Sequence, residues 1–75
     1  MKIYETELIL LRSLKRFKQA TIADLVNATG RSSDSIRGTL RNMEMKGLTE
    51  KVRRGVWRLS PEGLTLAEKS ARVDL

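Results

Sequence analysis

Apolar residues recur at steps of three and four positions along three stretches of the chain, which is the spacing of an α-helix. The pattern predicts a first helix over residues 4–17, a second over residues 21–29 and a third over residues 33–46. The apolar stripe of the first helix is wider than a one-sided helix requires. Two interpretations stay open: a small core wraps this helix, or the stripe is the seam of a homodimer.

Residues with end-capping preferences support these boundaries. Thr21 is a good N-cap, and Asp24 stands three positions later, as in a capping box. Gly30 and Gly47 follow the second and third helices, where a residue with positive φ commonly ends a helix. The second and third helices, joined by a tight turn, therefore form a helix-turn-helix.

The pattern changes to strand alternation over residues 48–60. Trp57 and Leu59 share one face of the second strand, Val56 and Arg58 share the other, and Gly55 sits in the turn. A last helix over residues 61–72 opens with a proline at its first position. The predicted fold is an α+β winged helix-turn-helix in one domain, residues 1–75, with a three-helix core, a two-stranded β-hairpin wing and a C-terminal helix.

The distribution of charge along the chain distinguishes one region from the rest. The chain carries 15 Lys and Arg against 9 Asp and Glu, a formal net charge of +6. Most of the excess falls between residues 31 and 58, on the third helix and the hairpin. Concentrated positive charge of this kind is the electrostatic footprint of nucleic-acid binding.

The outward side of the third helix and the hairpin supply the candidate DNA contacts. An α-helix fits the major groove, and a cationic wing can grip the adjacent backbone or minor groove. Arg37 and Arg41 could each fork onto a guanine, and the missing side chain of Gly38 would allow close approach of the backbone. The candidate residues are Ser33, Ser35, Arg37, Gly38, Arg41, Asn42, Lys51, Arg53, Arg54 and Arg58.

Other prominent residues have simpler interpretations. Trp57 is expected in the core, because an exposed base-stacking residue would normally have aromatic neighbours. Asp34 is expected to serve the helix N-terminus through the dipole. Gly63 is expected to weaken the start of the last helix.

The composition also excludes chemistry. With no Cys and no His, the chain lacks a thiol nucleophile and the commonest general base and zinc ligands. No Gly-rich phosphate loop or nucleophile–base pair is present, so no enzyme activity, catalytic residue, metal site or cofactor is predicted, and no small-molecule ligand is evident. The longest apolar run is four residues, Leu8 to Leu11, which predicts a cytoplasmic protein without a membrane span.

Two strings resemble known winged-helix families. The segment from Ser33 to Leu48 resembles the recognition helix of MarR-type bacterial regulators, which ends in a Leu-Glu-x-x-Gly-Leu pattern, with Met43 in the Leu place. The segment from Arg53 to Gly63 is similar to the wing of the N-terminal domain of Mrr-type restriction endonucleases. The resemblance implies DNA contact by Ser33, Ser35, Arg37, Arg41, Arg53 and Arg54. The chain lacks the extra dimer helices of MarR regulators and the Mrr nuclease domain.

The leading hypothesis is sequence-specific double-stranded DNA binding by a small prokaryotic, viral or archaeal transcription regulator, for example a repressor, with a homodimer as one assembly. A DNA-targeting module of a larger enzyme is one alternative. A winged helix that binds an acidic protein partner is another.

Overall fold

The computed structural model describes residues 4–73, with side chains as far as residue 69. Seven elements follow one another: α1 (Glu5–Phe17), β1 (Gln19–Thr21), α2 (Ile22–Thr29), α3 (Ser33–Met45), β2 (Thr49–Arg53), β3 (Val56–Leu59) and α4 (Pro61–Val73). The three strands form one antiparallel sheet in the order β1-β3-β2. This arrangement confirms the predicted α+β winged-helix class.

Strand β1 is an addition that the sequence analysis did not predict. Its three residues pair with β3, with Ala20 opposite Trp57 and Thr21 opposite Val56. A segment this short shows no alternation, and only its distant partner makes it a strand. The wing is therefore anchored to the helical body by a third strand, instead of projecting as a free hairpin.

One core joins the helices to the sheet. Leu10, Leu11 and Leu14 of α1 are buried within the single chain, so the core accounts for most of the stripe on this helix. Phe17, at the end of the stripe, remains exposed. Trp57 is buried in the same cluster, as predicted.

Capping interactions fix the ends of the helix-turn-helix. The Thr21 hydroxyl accepts from the Asp24 N–H at 3.1 Å, and the Asp24 carboxylate accepts from the Thr21 N–H at 3.0 Å. Ser32 caps α3 by accepting from the Ser35 N–H. At the other end of α3, Gly47 adopts φ +77° and the Leu48 N–H donates to the Met43 carbonyl at 2.8 Å. These bonds close both ends of α3 within the chain.

The start of helix α4 packs against the backbone of Gly47 and Leu48, which follow α3. The Ser60 hydroxyl accepts from the Gly63 N–H at 3.0 Å and donates to the Gly47 carbonyl. A Cβ added at Gly63 would lie 1.9 Å from the Leu48 carbonyl oxygen. Gly63 is thus required by backbone packing, whereas its sequence suggested only a weakened helix start.

Candidate nucleic-acid interface

Helix α3 presents two exposed rows of side chains. Ile36, Leu40 and Met43 are fully buried, which fixes the rotation of the helix. On one side of this buried row, residues 37, 41 and 44 follow one another at helical spacing and face the sheet. Nearly opposite the buried row, residues 38, 42 and 45 form the second exposed row.

The first row borders a cleft between α3 and the sheet, which we name the cationic cleft. It is lined by Ile22, Arg37, Arg41, Glu44, Lys51, Gly55 and Trp57. Three of these side chains are cationic and one is acidic. The Lys51 ammonium lies 5.2 Å from the centroid of the Trp57 ring, so the buried indole supports this lysine at the rim. The cleft therefore brings two cations of α3 together with Lys51 of the wing.

The first turn of α3 carries the remaining small polar candidates. Ser33 and Ser35 are exposed at the start of the helix. Asp34 lies 3.7 Å from the Arg37 guanidinium, with both side chains largely in solvent, which makes this a weak ion pair. A phosphate or a base edge could displace Asp34 from Arg37 at small cost.

The tip of the wing is exposed and basic. Arg53 and Arg54 both lie in solvent, and Gly55 takes φ +78° in the turn that follows them. The pairing of β2 with β3 shifts register between Lys51 and Arg53, where a bulge leaves Val52 without a partner. A bulge increases the local twist of a strand, so the tip is rotated relative to the body of the sheet.

The structure places Arg58 on the face of the sheet opposite Lys51. Arg58 pairs across the strands with Glu50, and the Arg58 Nε lies 3.4 Å from a Glu50 carboxylate oxygen. Neighbouring residues on a strand point to opposite faces, so Arg58 is on the face opposite Lys51 and Trp57. Arg58 is therefore outside the cationic cleft.

Lys46, at the end of α3, is bound to a buried carboxylate. Both carboxylate oxygens of Glu7 lie 2.8 Å from the Lys46 ammonium, and Glu7 is only 2% exposed. The same carboxylate accepts from the Tyr4 N–H at 3.0 Å. Sequence reasoning missed this pair, although Glu7 falls on the apolar stripe of α1, three and seven positions before Leu10 and Leu14.

The second exposed row of α3 is open. A Cβ added at Gly38 would meet no atom within 4 Å. Asn42 and Met45 border a shallow groove with Tyr4 and Lys46. Met45 is 83% exposed, an unusual position for an apolar side chain beside a polar face.

No group of acidic residues in residues 4–73 is arranged to hold a metal ion. None of the helices in this range is long and apolar enough to cross a membrane.

No protein-family model and no curated protein sequence matches this chain. Solved structures do match its fold, and three illustrate the range. BpsR of Bordetella bronchiseptica, whose DNA binding is regulated by 6-hydroxynicotinic acid, is 25% identical over 95% of this chain and 54% of its own, with a TM-score of 0.85. NadR in complex with 4-hydroxyphenylacetate is 27% identical over 97% of this chain and 57% of its own, with a TM-score of 0.87.

The reduced form of MarR from E. coli superposes with a TM-score of 0.89 at 18% identity, over 96% of this chain and 54% of its own. These neighbours are winged-helix regulators of the MarR family, so the resemblance to MarR-type regulators inferred from the sequence is confirmed. This chain spans little more than half the length of each neighbour.

Proposed function

We propose that this chain binds double-stranded DNA sequence-specifically, with α3 in the major groove and the wing on the adjacent backbone or minor groove. The observation that supports this most directly is the cationic cleft, because Arg37 and Arg41 of α3 and Lys51 of the wing line one concave surface. One strand of a duplex can then contact both elements. Cations on opposite sides of the molecule could not cooperate in this way.

The two elements have different tasks in the proposed complex. Arg37 and Arg41 read bases, since a guanidinium can donate two hydrogen bonds to guanine. Ser33, Ser35 and Asn42 offer further polar contacts from the exposed side of α3. Lys51 and the exposed Arg53 and Arg54 hold phosphates, which adds affinity with little sequence preference.

The neighbours extend the proposal from DNA binding to regulation. We propose that this chain serves a small transcription regulator of prokaryotic, viral or archaeal type. A homodimer would present two copies of α3 to two half-sites, and a palindromic site is the expected consequence. The alternative of a DNA-targeting module within a larger enzyme predicts the same DNA contacts without a requirement for two-fold symmetry.

A salt titration on a random duplex tests DNA binding itself. Each phosphate contact contributes about −0.9 to the slope of log K against log salt, so four to six contacts give a slope of about −4 to −5. A flat salt response, or no binding at low salt, contradicts the proposal and favours an acidic protein partner instead.

Wing variants test the assignment of phosphate contacts. Arg53→Ala with Arg54→Ala should weaken every duplex alike and reduce the magnitude of the salt slope by about 2. Arg58→Ala is the control, because it removes one arginine of the same hairpin that lies outside the cleft lining and is paired with Glu50, and it should leave the slope unchanged. A reduction of the slope by about 1 from Arg58→Ala would show that phosphate contact is not confined to the cleft and the wing tip.

Base reading by α3 needs a selected duplex. Arg41→Ala should cost about 1–3 kcal/mol on a duplex selected from a random pool, and less on random DNA. An equal loss on both would show that Arg41 contacts only phosphate. Selection of bound duplexes also shows whether the preferred site is palindromic.

A second groove, bordered by α1, β3 and α4, favours a second function, the binding of a small organic acid. Leu14, Leu59 and the partly exposed Leu64 form its apolar lining, with Lys15 and Lys18 also lining it. NadR was solved with such a ligand, 4-hydroxyphenylacetate. We propose that the groove accepts an aromatic carboxylate. A rise in melting temperature with 4-hydroxyphenylacetate, absent with its methyl ester and lost in Lys15→Met, is the expected result; equal responses to acid and ester would contradict it.

A further inference from the structure

The cationic cleft contains one acidic residue, Glu44. It lies on the same helix row as Arg37 and Arg41, three positions after Arg41, and it lines the cleft together with Lys51. Its side chain is exposed, and no ion pair joins Glu44 to any described cation. The Glu44 carboxylate therefore forms no ion pair that stabilises the fold, whereas the buried Glu7 carboxylate is paired with Lys46.

A carboxylate in this position opposes a phosphate and accepts hydrogen bonds from a base. Two like unit charges at contact distance in water repel by an energy equivalent to about a fivefold change in affinity. The amino groups of cytosine and adenine, in contrast, donate hydrogen bonds to acceptors in the major groove. A position of the chain on the duplex that brings a phosphate to Glu44 is thus disfavoured. A position that brings a base amino group to Glu44 is tolerated or favoured.

We propose that Glu44 is a specificity-determining residue, which weakens binding to random DNA by repelling misplaced phosphates and so widens the gap between selected and random duplexes. This rests on the proposed function of the cleft. Specificity is a difference of two affinities, and a repulsive element can create it without strengthening the preferred complex. Three cations alone would attract any duplex.

The test compares Glu44→Gln with Glu62→Gln on two duplexes at one salt concentration. The first duplex is selected from a random pool by the unaltered chain, and the second is a random sequence of equal length. Glu62 is an exposed acid at the start of α4, outside the cleft lining, so its variant makes the same charge change elsewhere. Circular dichroism confirms that both exposed variants remain folded.

For Glu44→Gln, we expect affinity for the random duplex to rise about three- to tenfold, while affinity for the selected duplex stays within twofold or falls. Glu62→Gln should leave the ratio of the two affinities unchanged. Equal gains on both duplexes, or no gain on either, would overturn the inference while DNA binding by the unaltered chain still upholds the proposed function. If the unaltered chain binds no duplex, both fail together.

Discussion

A cation and a glycine occur both where the end of α3 meets the start of α4 and on the exposed rows of α3, in opposite situations. At the end, Lys46 is bound to a buried carboxylate, and the Leu48 carbonyl is packed against Gly63. On the exposed rows, Arg41 lines an open cleft and Gly38 faces empty space. One end of the helix is closed by the fold, and its two exposed rows are left accessible.

This difference shows that residue type alone does not identify a contact surface. A lysine whose ammonium lies 2.8 Å from both oxygens of a buried carboxylate stabilises the fold and offers little to a polyanion. A glycine is required where backbone approaches backbone and is otherwise a cost in helix stability. Burial and partners decide which residues are available, so substitutions at the two regions should have opposite consequences.

Gly63→Ala should have the largest effect on stability. The new Cβ would meet the Leu48 carbonyl oxygen at 1.9 Å, so the start of α4 must move away from the end of α3. We expect a loss of about 3 kcal/mol in the free energy of unfolding, measured by urea denaturation. In a domain of this size such a loss leaves little folded protein. A loss smaller than about 0.5 kcal/mol would show that the contact is easily relaxed.

Lys46→Met should have the next largest effect. The variant leaves the Glu7 carboxylate buried without its cation, and breaking a buried pair in this way commonly costs about 3–5 kcal/mol. Because Lys46 is partly exposed, water can replace some of the interaction, and we expect about 2 kcal/mol.

The matched control is Lys51→Met, which removes an exposed cation from the cleft and should change unfolding by no more than about 0.5 kcal/mol. Adding Glu7→Gln to Lys46→Met should restore part of the lost stability, since no unpaired charge then remains buried. If Lys46→Met and Lys51→Met lower the free energy of unfolding by the same amount, Lys46 contributes no more to stability than the exposed Lys51.

The sequence predicted the local features of the closed and open regions and missed the contacts between distant residues. Capping residues and apolar spacing are local signals, and they identified the Thr21 capping box and the turn at Gly47. The spacing of Ile36, Leu40 and Met43 also fixed which side of α3 is exposed. The Glu7–Lys46 pair spans 39 positions, and the pairing of β1 with β3 is similarly remote, so neither leaves a local pattern.

The prediction of the candidate site from the sequence was limited because the sequence does not give the strand register. Alternation along β3 assigned Arg58 to the face opposite Trp57, but the alignment of β2 depends on a bulge that the sequence does not reveal. Without that alignment, the position of Lys51 in the cleft and of Glu50 beside Arg58 could not be derived. Glu44 could have been recognised, because it continues the row of Arg37 and Arg41.

Gly38→Ala should have the smallest effect on stability and the opposite sign. The added methyl group meets nothing within 4 Å, and alanine is a better helix former, so we expect a gain of up to about 1 kcal/mol in the free energy of unfolding. If close approach of α3 to DNA depends on the missing side chain, the same variant should bind a selected duplex about fivefold more weakly.

The control for Gly38→Ala is Thr65→Ala, on the exposed side of α4, which also raises helix propensity. That variant should be slightly more stable and bind DNA unchanged. The pair of measurements separates stability from contact, since only Gly38→Ala changes the surface of α3. A stabilised Gly38→Ala variant with full affinity would mean that the duplex never comes within a methyl group of this backbone, and that Gly38 is a neutral residue on the open face.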